Sequence, residues 1–414
     1  MASLFRWASS VSRRAPSPAR TFSSLRCQLL PESQKIEEET LPDYLAERFY
    51  PVHIGEVLAS RYQVVGKLGY GTTSTVWLAR DLTQHRHVAV KVFIRSAALG
   101  ARVDHERNVY QRISSGSRSH PGRDAVRPLL DFFQLSGPDG EHQCLVHPPL
   151  WENVRTFLAR NPVGRLPKPV LGIVLYRLFQ ALDYLHNECR IVHTGKFTSL
   201  HGFSTPAQAL TQEHLDIKSD NIPQPPKGSR RKVHLRLPAG QKPKDIGPPV
   251  LCDFGGAFFG DILHDNDVQT DQYRCSEVIL EIPWSCKIDI WNVGCTIWDI
   301  FEGGLSFRGT DLELGVYRGR AHLAEMIALL GPPTPEFLNR GKLRSKFFSE
   351  SGEWQAGIKP LPPVSLGKLE TNLEGMDKEL FLQLMGKMLQ WAPEDRATPR
   401  ELLNDPWVTK QVFG

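Results

Sequence analysis

Residues 62–81, YQVVGKLGYGTTSTVWLARD, set two β-rich runs on either side of a glycine turn. A third run, HVAVKVFI, follows with alternating apolar positions. Such a start makes this part of the chain β-rich. The turn itself, Gly69-Tyr70-Gly71-Thr72-Thr73-Ser74, reads G-x-G-x-x-S. Glycines let the backbone turn sharply and let its N–H groups approach phosphate oxygens with no Cβ between. It is not a Walker loop, because no Gly-Lys-Ser/Thr follows, and its strand–turn–strand setting argues against a dinucleotide-binding turn.

Past residue 149 the period changes. WENVRTFLARN, PVLGIVLYRLFQALDYLHN, DIWNVGCTIWDIF, YRGRAHLAEMIALLG, KELFLQLMGKMLQW and PRELLND carry helical spacing. DHERNVYQRI, between the strands, is also helical. A small β-rich lobe over 46–149 therefore precedes a larger helical lobe over 150–414, joined at HPPL. The class is α+β, and 414 residues suit two lobes. Residues 223–249 are rich in Pro, Gly and basic side chains and read as an inserted loop.

Residues 1–31 hold five arginines, seven serines and no acid. That is the composition of a mitochondrial transit segment or of a disordered basic tail. An acidic run ends it, and residues 1–45 are expected to be a disordered leader and linker. The net charge of +5 gives no reason to expect nucleic acid as a partner. Seven cysteines include no C-x-x-C pair, which argues for a reducing compartment. No apolar run is long enough to span a membrane.

The remaining chemistry-bearing residues lie in order along the chain. Lys91, in Val88-Ala89-Val90-Lys91, is a mid-strand lysine suited to α/β-phosphates, and Glu106 in the next helix is a plausible ion-pair partner. Asp216-Ile217-Lys218-Ser219-Asp220-Asn221 supplies D-x-K-x-x-N. There Asp216 can accept a hydroxyl proton, Lys218 can neutralise a moving phosphoryl group, and Asn221 can bind metal. Asp253, in Asp253-Phe254-Gly255, offers hard oxygen to Mg2+. Taken singly, each has an ordinary reading as a solvated or structural residue.

Taken together and in this order, the motifs resemble the eukaryotic protein kinases from about Tyr62 to Trp407. Glu277 in YRCSEV, Asp289, Trp291 and Gly294 in DIWNVG, and Arg396 in PEDRAT fit the same pattern, with Arg396 placed to pair with Glu277. GYGTTSTVWLARD, VHT, DIKSDN and HLAEMIALLGPP more narrowly resemble the serine/arginine-rich protein kinases and their fungal relatives. The resemblance implies a two-lobed protein kinase fold, ATP and Mg2+ as cofactors, and an Arg/Ser-rich protein substrate. It also implies a nuclear or cytoplasmic place, against the mitochondrial reading of the leader; nothing demands more than a monomer. The adenine site would lie at LVHPPL, using the Pro148 carbonyl and the Leu150 N–H, with Leu68, Val76 and Ala89 as apolar walls. Thr194 stands where many kinases have an arginine that reads an activation-segment phosphate, so no such phosphate should be needed. Asp261, Asp265, Asp267 and Asp271 would favour an arginine-rich substrate by charge.

One stretch breaks the pattern. IVHT, ending at Thr194, and DIKSDN, starting at Asp216, would join into H-x-D-x-K-x-x-N, but Gly195 to Leu215 lies between them. His193 is taken as the motif histidine, since LDYLHNECRIVH precedes it; His214-Leu215-Asp216 is the competing register. Gly195-Lys196 can be written GGT-AAG, a splice donor, and Leu215-Asp216 as TTA-GAT, with a TAG acceptor. Leu210-Thr211 can be written as a fungal branch site. Excision would join G to AT, making aspartate and restoring the motif in frame. The hypothesis is a translated intron, the alternative a genuine surface loop. A transcript whose codons lack these signals would refute it. Pro223, where a strand should continue, adds to the expectation of impaired catalysis. A pseudokinase that binds nucleotide or protein is the competing function.

Overall fold

The computed structural model describes residues 15–21, 34–95, 97–150, 154, 158, 164–195 and 248–414. Asp216, Lys218 and Asn221, most of both insertions and most of the expected helix at 151–161 lie outside these residues. The chain divides into two compact units.

The first unit holds a six-stranded antiparallel sheet: β1 (Val57–Leu58), β2 (Tyr62–Tyr70), β3 (Ser74–Asp81), β4 (Arg86–Phe93), β5 (Asp131–Gly137) and β6 (Gly140–His147). Their order is β1-β2-β3-β4-β6-β5. The two-residue period of a strand sorts β4 into two faces. Val88, Val90 and Val92 enter a core with Tyr62, Val64, Trp77, Ala79, Cys144 and Val146, covered by Tyr50, Val52 and Ile54. Ala89 and Lys91 take the other face, opposite Leu78 and Val76 in the ladder.

The described parts of the leader and linker pack onto this sheet, unlike the expected disorder. Ser17 donates its N–H to the Leu82 carbonyl at 2.7 Å. Arg20 and the Gln63 amide exchange two hydrogen bonds, at 2.9 and 2.8 Å. A short 3-10 turn at Glu37–Thr40 sets two carboxylates on Lys67. These groups find partners on the sheet, which composition alone does not show.

The second unit is helical. Helix α1 (Ala97–Ser115) starts earlier than its apolar spacing suggests, and residues 101–128 group with this unit rather than with the small lobe. The reason is packing: the Tyr110 ring lies 5.3 Å from Phe254, and the Tyr184 hydroxyl donates to the Ile113 carbonyl at 2.6 Å. Helix α2 (Lys168–Asp183) runs into a π turn at Tyr184–Cys189 and stops at Arg190, whose φ is 52°. Strands β7 (Ile191–Val192) and β8 (Phe258–Phe259) pair next. Helix α3 (Lys287–Glu302) is buried on nearly every side, which marks a central core helix. It ends at Gly303, in the left-handed conformation that terminates helices well. Then follow α4 (Gly319–Leu330), α5 (Gly375–Gly386), α6 (Pro399–Leu403) and α7 (Pro406–Phe413). No helix among the described residues is long and apolar enough to cross a membrane.

Candidate functional site

In the first unit the glycine turn joins β2 to β3. The Gly71 N–H donates to the Ser74 carbonyl at 2.8 Å and closes it. A Cβ at Gly69 would meet nothing within 4 Å, and Gly71 would meet only the Ser74 carbonyl at that limit. The fold itself therefore leaves both glycines room for a side chain. Their bareness suits an outside group approaching the backbone, as a phosphate does. Ser74 is buried and Leu68 is 47% exposed.

Val76 and Lys91 are ladder partners, so they share one face with Ala89. The Lys91 ammonium lies 4.6 Å from the Phe93 ring centroid. The small Ala89 and the branched Val76 leave a shallow apolar floor beside a cation. That donor set fits a nucleotide: apolar walls for the base, bare backbone and ammonium for the phosphates. Pro148 follows β6 at the end of this unit, while Leu150 and Glu106 belong to the second.

In the second unit the geometry centres on Asp289. Its buried carboxylate accepts from the His193 N–H at 2.8 Å and the Thr194 N–H at 2.9 Å. The ring of His186 meets the same carboxylate at 2.9 Å. A buried carboxylate is costly unless its lone pairs are met. Here three groups meet them, and the grip fixes the backbone where β7 ends. The His193 ring contacts the Cys252 carbonyl at 3.1 Å and packs edge-on to Phe254, centroids 5.3 Å apart. His193 is thus anchored by main chain and ring alike, while His214, the competing register, lies outside the described residues.

The anchor reaches one residue further. The Gly195 carbonyl accepts from the Asn292 amide at 3.1 Å. The position directly after Thr194 is held, yet it carries no acid. A Cβ there would come within 2.8 Å of the His193 ring, so the loop must re-form around a larger residue.

Asp253 is exposed and has φ 69°, a left-handed conformation that turns the chain sharply after Cys252. Its carboxylate is a hard oxygen donor, as Mg2+ requires. Asn221, its expected co-ligand, lies outside the described residues. Behind Asp253, a Cβ on Gly255 would sit 3.1 Å from the Glu106 carboxylate, so Glu106 stands against this segment. Glu106 is only 3% exposed.

Arg127 escaped the sequence reading. Its N–H donates to the Leu251 carbonyl at 2.8 Å, which sets it beside Cys252 and Asp253. Burial pulls its pKa down, against the opposing pull of Cys252, Tyr110, Glu106 and Asp253. A single basic residue within the run AVRPLLDFF was the available clue.

The segment after Asp253 is held by many contacts. The Thr194 hydroxyl donates to the Gly256 carbonyl at 2.5 Å. The His105 ring meets the Ala257 carbonyl at 2.6 Å. The four acids expected to await an arginine-rich substrate instead have basic partners within the fold. Arg112 meets Asp261 at 2.5 Å and Lys342 meets Asp265 at 2.9 Å. Arg274 lies 3.3 Å from both Asp267 and Asp271. These exposed pairs are worth at most about 1 kcal/mol each, but the three bases offset three of the four negative charges.

The expected Glu277–Arg396 pair is present. Two hydrogen bonds of 2.5 and 2.7 Å join the side chains, both of which are fully buried. Burial pulls the Arg396 pKa down, but Glu277 outweighs it and holds the guanidinium above its ordinary value.

Comparison with known proteins agrees with this architecture. The protein kinase domain model matches residues 213–408. A serine/threonine protein kinase of Aspergillus fumigatus is 40% identical over 402 residues, covering 96% of this chain and 97% of that protein. The serine/threonine-protein kinase SRPK of Physarum polycephalum is 30% identical over 405 residues, covering 90% and 91%. Human SRSF protein kinase 3 is 23% identical, covering 90% of each. A crystallised kinase domain aligns with a TM-score of 0.65 at 22% identity, over 87% of this chain and 99% of its own. The chain belongs to the serine/threonine protein kinase family, with serine/arginine-rich protein kinases among its relatives.

Proposed function

We propose that the chain is an ATP- and Mg2+-dependent serine/threonine kinase for Arg/Ser-rich proteins, whose catalytic loop is interrupted by residues 195–215. The observation that carries the reading is the anchored start of that loop. Asp289 holds His193 and Thr194, and the His193 ring lies against Phe254 of the segment that presents Asp253. Around such an anchor, Asp216 takes the hydroxyl proton of the substrate serine and Lys218 steadies the charge on the moving group. Leu68, Gly69, Gly71, Ser74, Val76, Ala89, Pro148 and Leu150 hold the nucleotide. Lys91 binds its phosphates with Glu106 as its support. Asp253 and Asn221 would hold Mg2+, which neutralises the phosphate oxygens when bound.

The Arg/Ser substrate class rests on the likeness to the Physarum SRPK and the human SRSF kinase. With that substrate class, the enzyme is proposed to be monomeric and nuclear or cytoplasmic. The neutral Thr194, bonded to Gly256, supports activity without a phosphate on the activation segment. One observation favours the second reading, a pseudokinase. Gly195 occupies the anchored position where the rejoined motif would carry its aspartate. The match to the kinase model begins at Glu213 and takes in His214-Leu215-Asp216, which favours the competing register rather than an interruption that ends at Leu215.

The test is to offer the purified chain Mg2+-ATP with an Arg-Ser repeat peptide and, separately, with an Asp-Ser repeat. Slow, Arg-selective transfer that Lys91→Met abolishes is expected. Nucleotide binding with no transfer at all would favour the pseudokinase, and no nucleotide binding would sink the kinase reading and leave only a protein-binding pseudokinase.

A further inference from the structure

We propose that Glu37 and Glu38 form an N-terminal clip on β2, and that Lys67, which both carboxylates grip, is a positioning residue for the glycine turn. Lys67 stands two residues before Gly69. Its ammonium donates to Glu37 at 2.6 Å and to Glu38 at 2.5 Å. The Lys67 side chain is 6% exposed, and the two carboxylate side chains are 11% and 7% exposed. The ring centroids of Trp77 and Tyr70 lie 5.4 and 5.7 Å from the same nitrogen. An ammonium so enclosed is tolerated only when paired.

The backbone is bent to make this grip. Successive residues of a regular helix point about 100° apart and do not share a partner. Glu37 has φ 51°, in the left-handed region, and both carboxylates then converge on one nitrogen. A non-glycine residue stays in that region only where its surroundings over-determine it. The rest of the turn supplies that support. Glu39 accepts from the Ile36 N–H at 3.0 Å, and the Thr40 hydroxyl donates to the Glu37 carbonyl at 2.6 Å.

The site of the grip gives it a purpose. The ladder between β2 and β3 changes register between Lys67 and Gly69. A bulge leaves a residue out of the ladder and loosens the pairing there. Backbone bonds alone therefore pin the approach to the glycine turn weakly. The Lys67 side chain adds a tether from the other side, set by a segment outside the sheet. The nucleotide role of the clip rests on the nucleotide reading of the glycine turn.

The experiment compares the full chain with the double variant Glu37→Gln/Glu38→Gln and with Lys67→Arg. Two readouts are taken: amide exchange over residues 66–74 in the free protein, and the dissociation constant for Mg2+-ATP. The double variant should exchange faster over 66–74 and bind ATP several-fold more weakly. Lys67→Arg, which keeps the charge, should stay near the parent. Unchanged exchange over 66–74 in the double variant would overturn the clip. Faster exchange with unchanged ATP affinity would overturn its positioning role. If the parent chain binds no ATP, the nucleotide reading fails together with that role, while the exchange readout still decides the clip.

Discussion

Arg396 and Glu277 stand 119 positions apart, yet their side chains form a fully buried, two-bonded pair. Removing one partner strands the other charge in the core. Arg396→Met should therefore lower stability by about 3–5 kcal/mol, measured by urea unfolding. Adding Glu277→Leu should restore most of that loss. Asp253 is the opposite case, exposed and held in a left-handed turn. Asp253→Asn should move stability by no more than about 0.5 kcal/mol, while the Mg2+-dependent rise in melting temperature with ATP disappears. The first pair was legible because its motifs are distinctive. The Asp289 grip and Arg127 were not, because their meaning lies in partners distant in sequence. Asp289 meets main-chain N–H groups, which sequence does not label.

Among the elements, the helical period of the larger unit was readable for α2, α3, α4, α5 and α6. Helix α6 carries a full capping box from Thr398 and Glu401. The early start of α1, the π turn after α2 and the terminal α7 were not. Each depends on packing against another segment rather than on its own spacing. Helix α4 carries a testable consequence. His322 is completely buried in it, and burial, aided by Arg274, pulls its pKa down to about 3 from the ordinary 6.5. Between these values the unfolded chain binds a proton that the folded chain refuses. Stability should then fall as pH drops through that window, by at most about 1.4 kcal/mol per unit. Melting curves against pH for His322→Asn should show a shallower acid limb than the parent.

At the scale of the molecule, the β-then-helix order and the ordered motifs make the family legible in the amino-acid sequence alone. The seating of residues 15–21 and 34–45 on the sheet is not legible there, because a basic leader and an acidic run look like solvated chain until their partners are known. The insertion follows a different logic. Closing a loop of this length costs only about 2–3 kcal/mol, so the larger unit can tolerate it. Catalysis is less forgiving, since a misplacement of about 1 Å can cost roughly a hundredfold. Asp216 is separated by residues 196–215 from the anchor that Asp289 and Asn292 provide at 193–195. The most direct measurement is a side-by-side assay of this chain and one rejoined as Thr194-Asp-Ile217, each given Mg2+-ATP and an Arg-Ser repeat peptide. The account predicts transfer by the rejoined protein at least about a hundredfold faster. Equal rates, or no transfer from either, would contradict it.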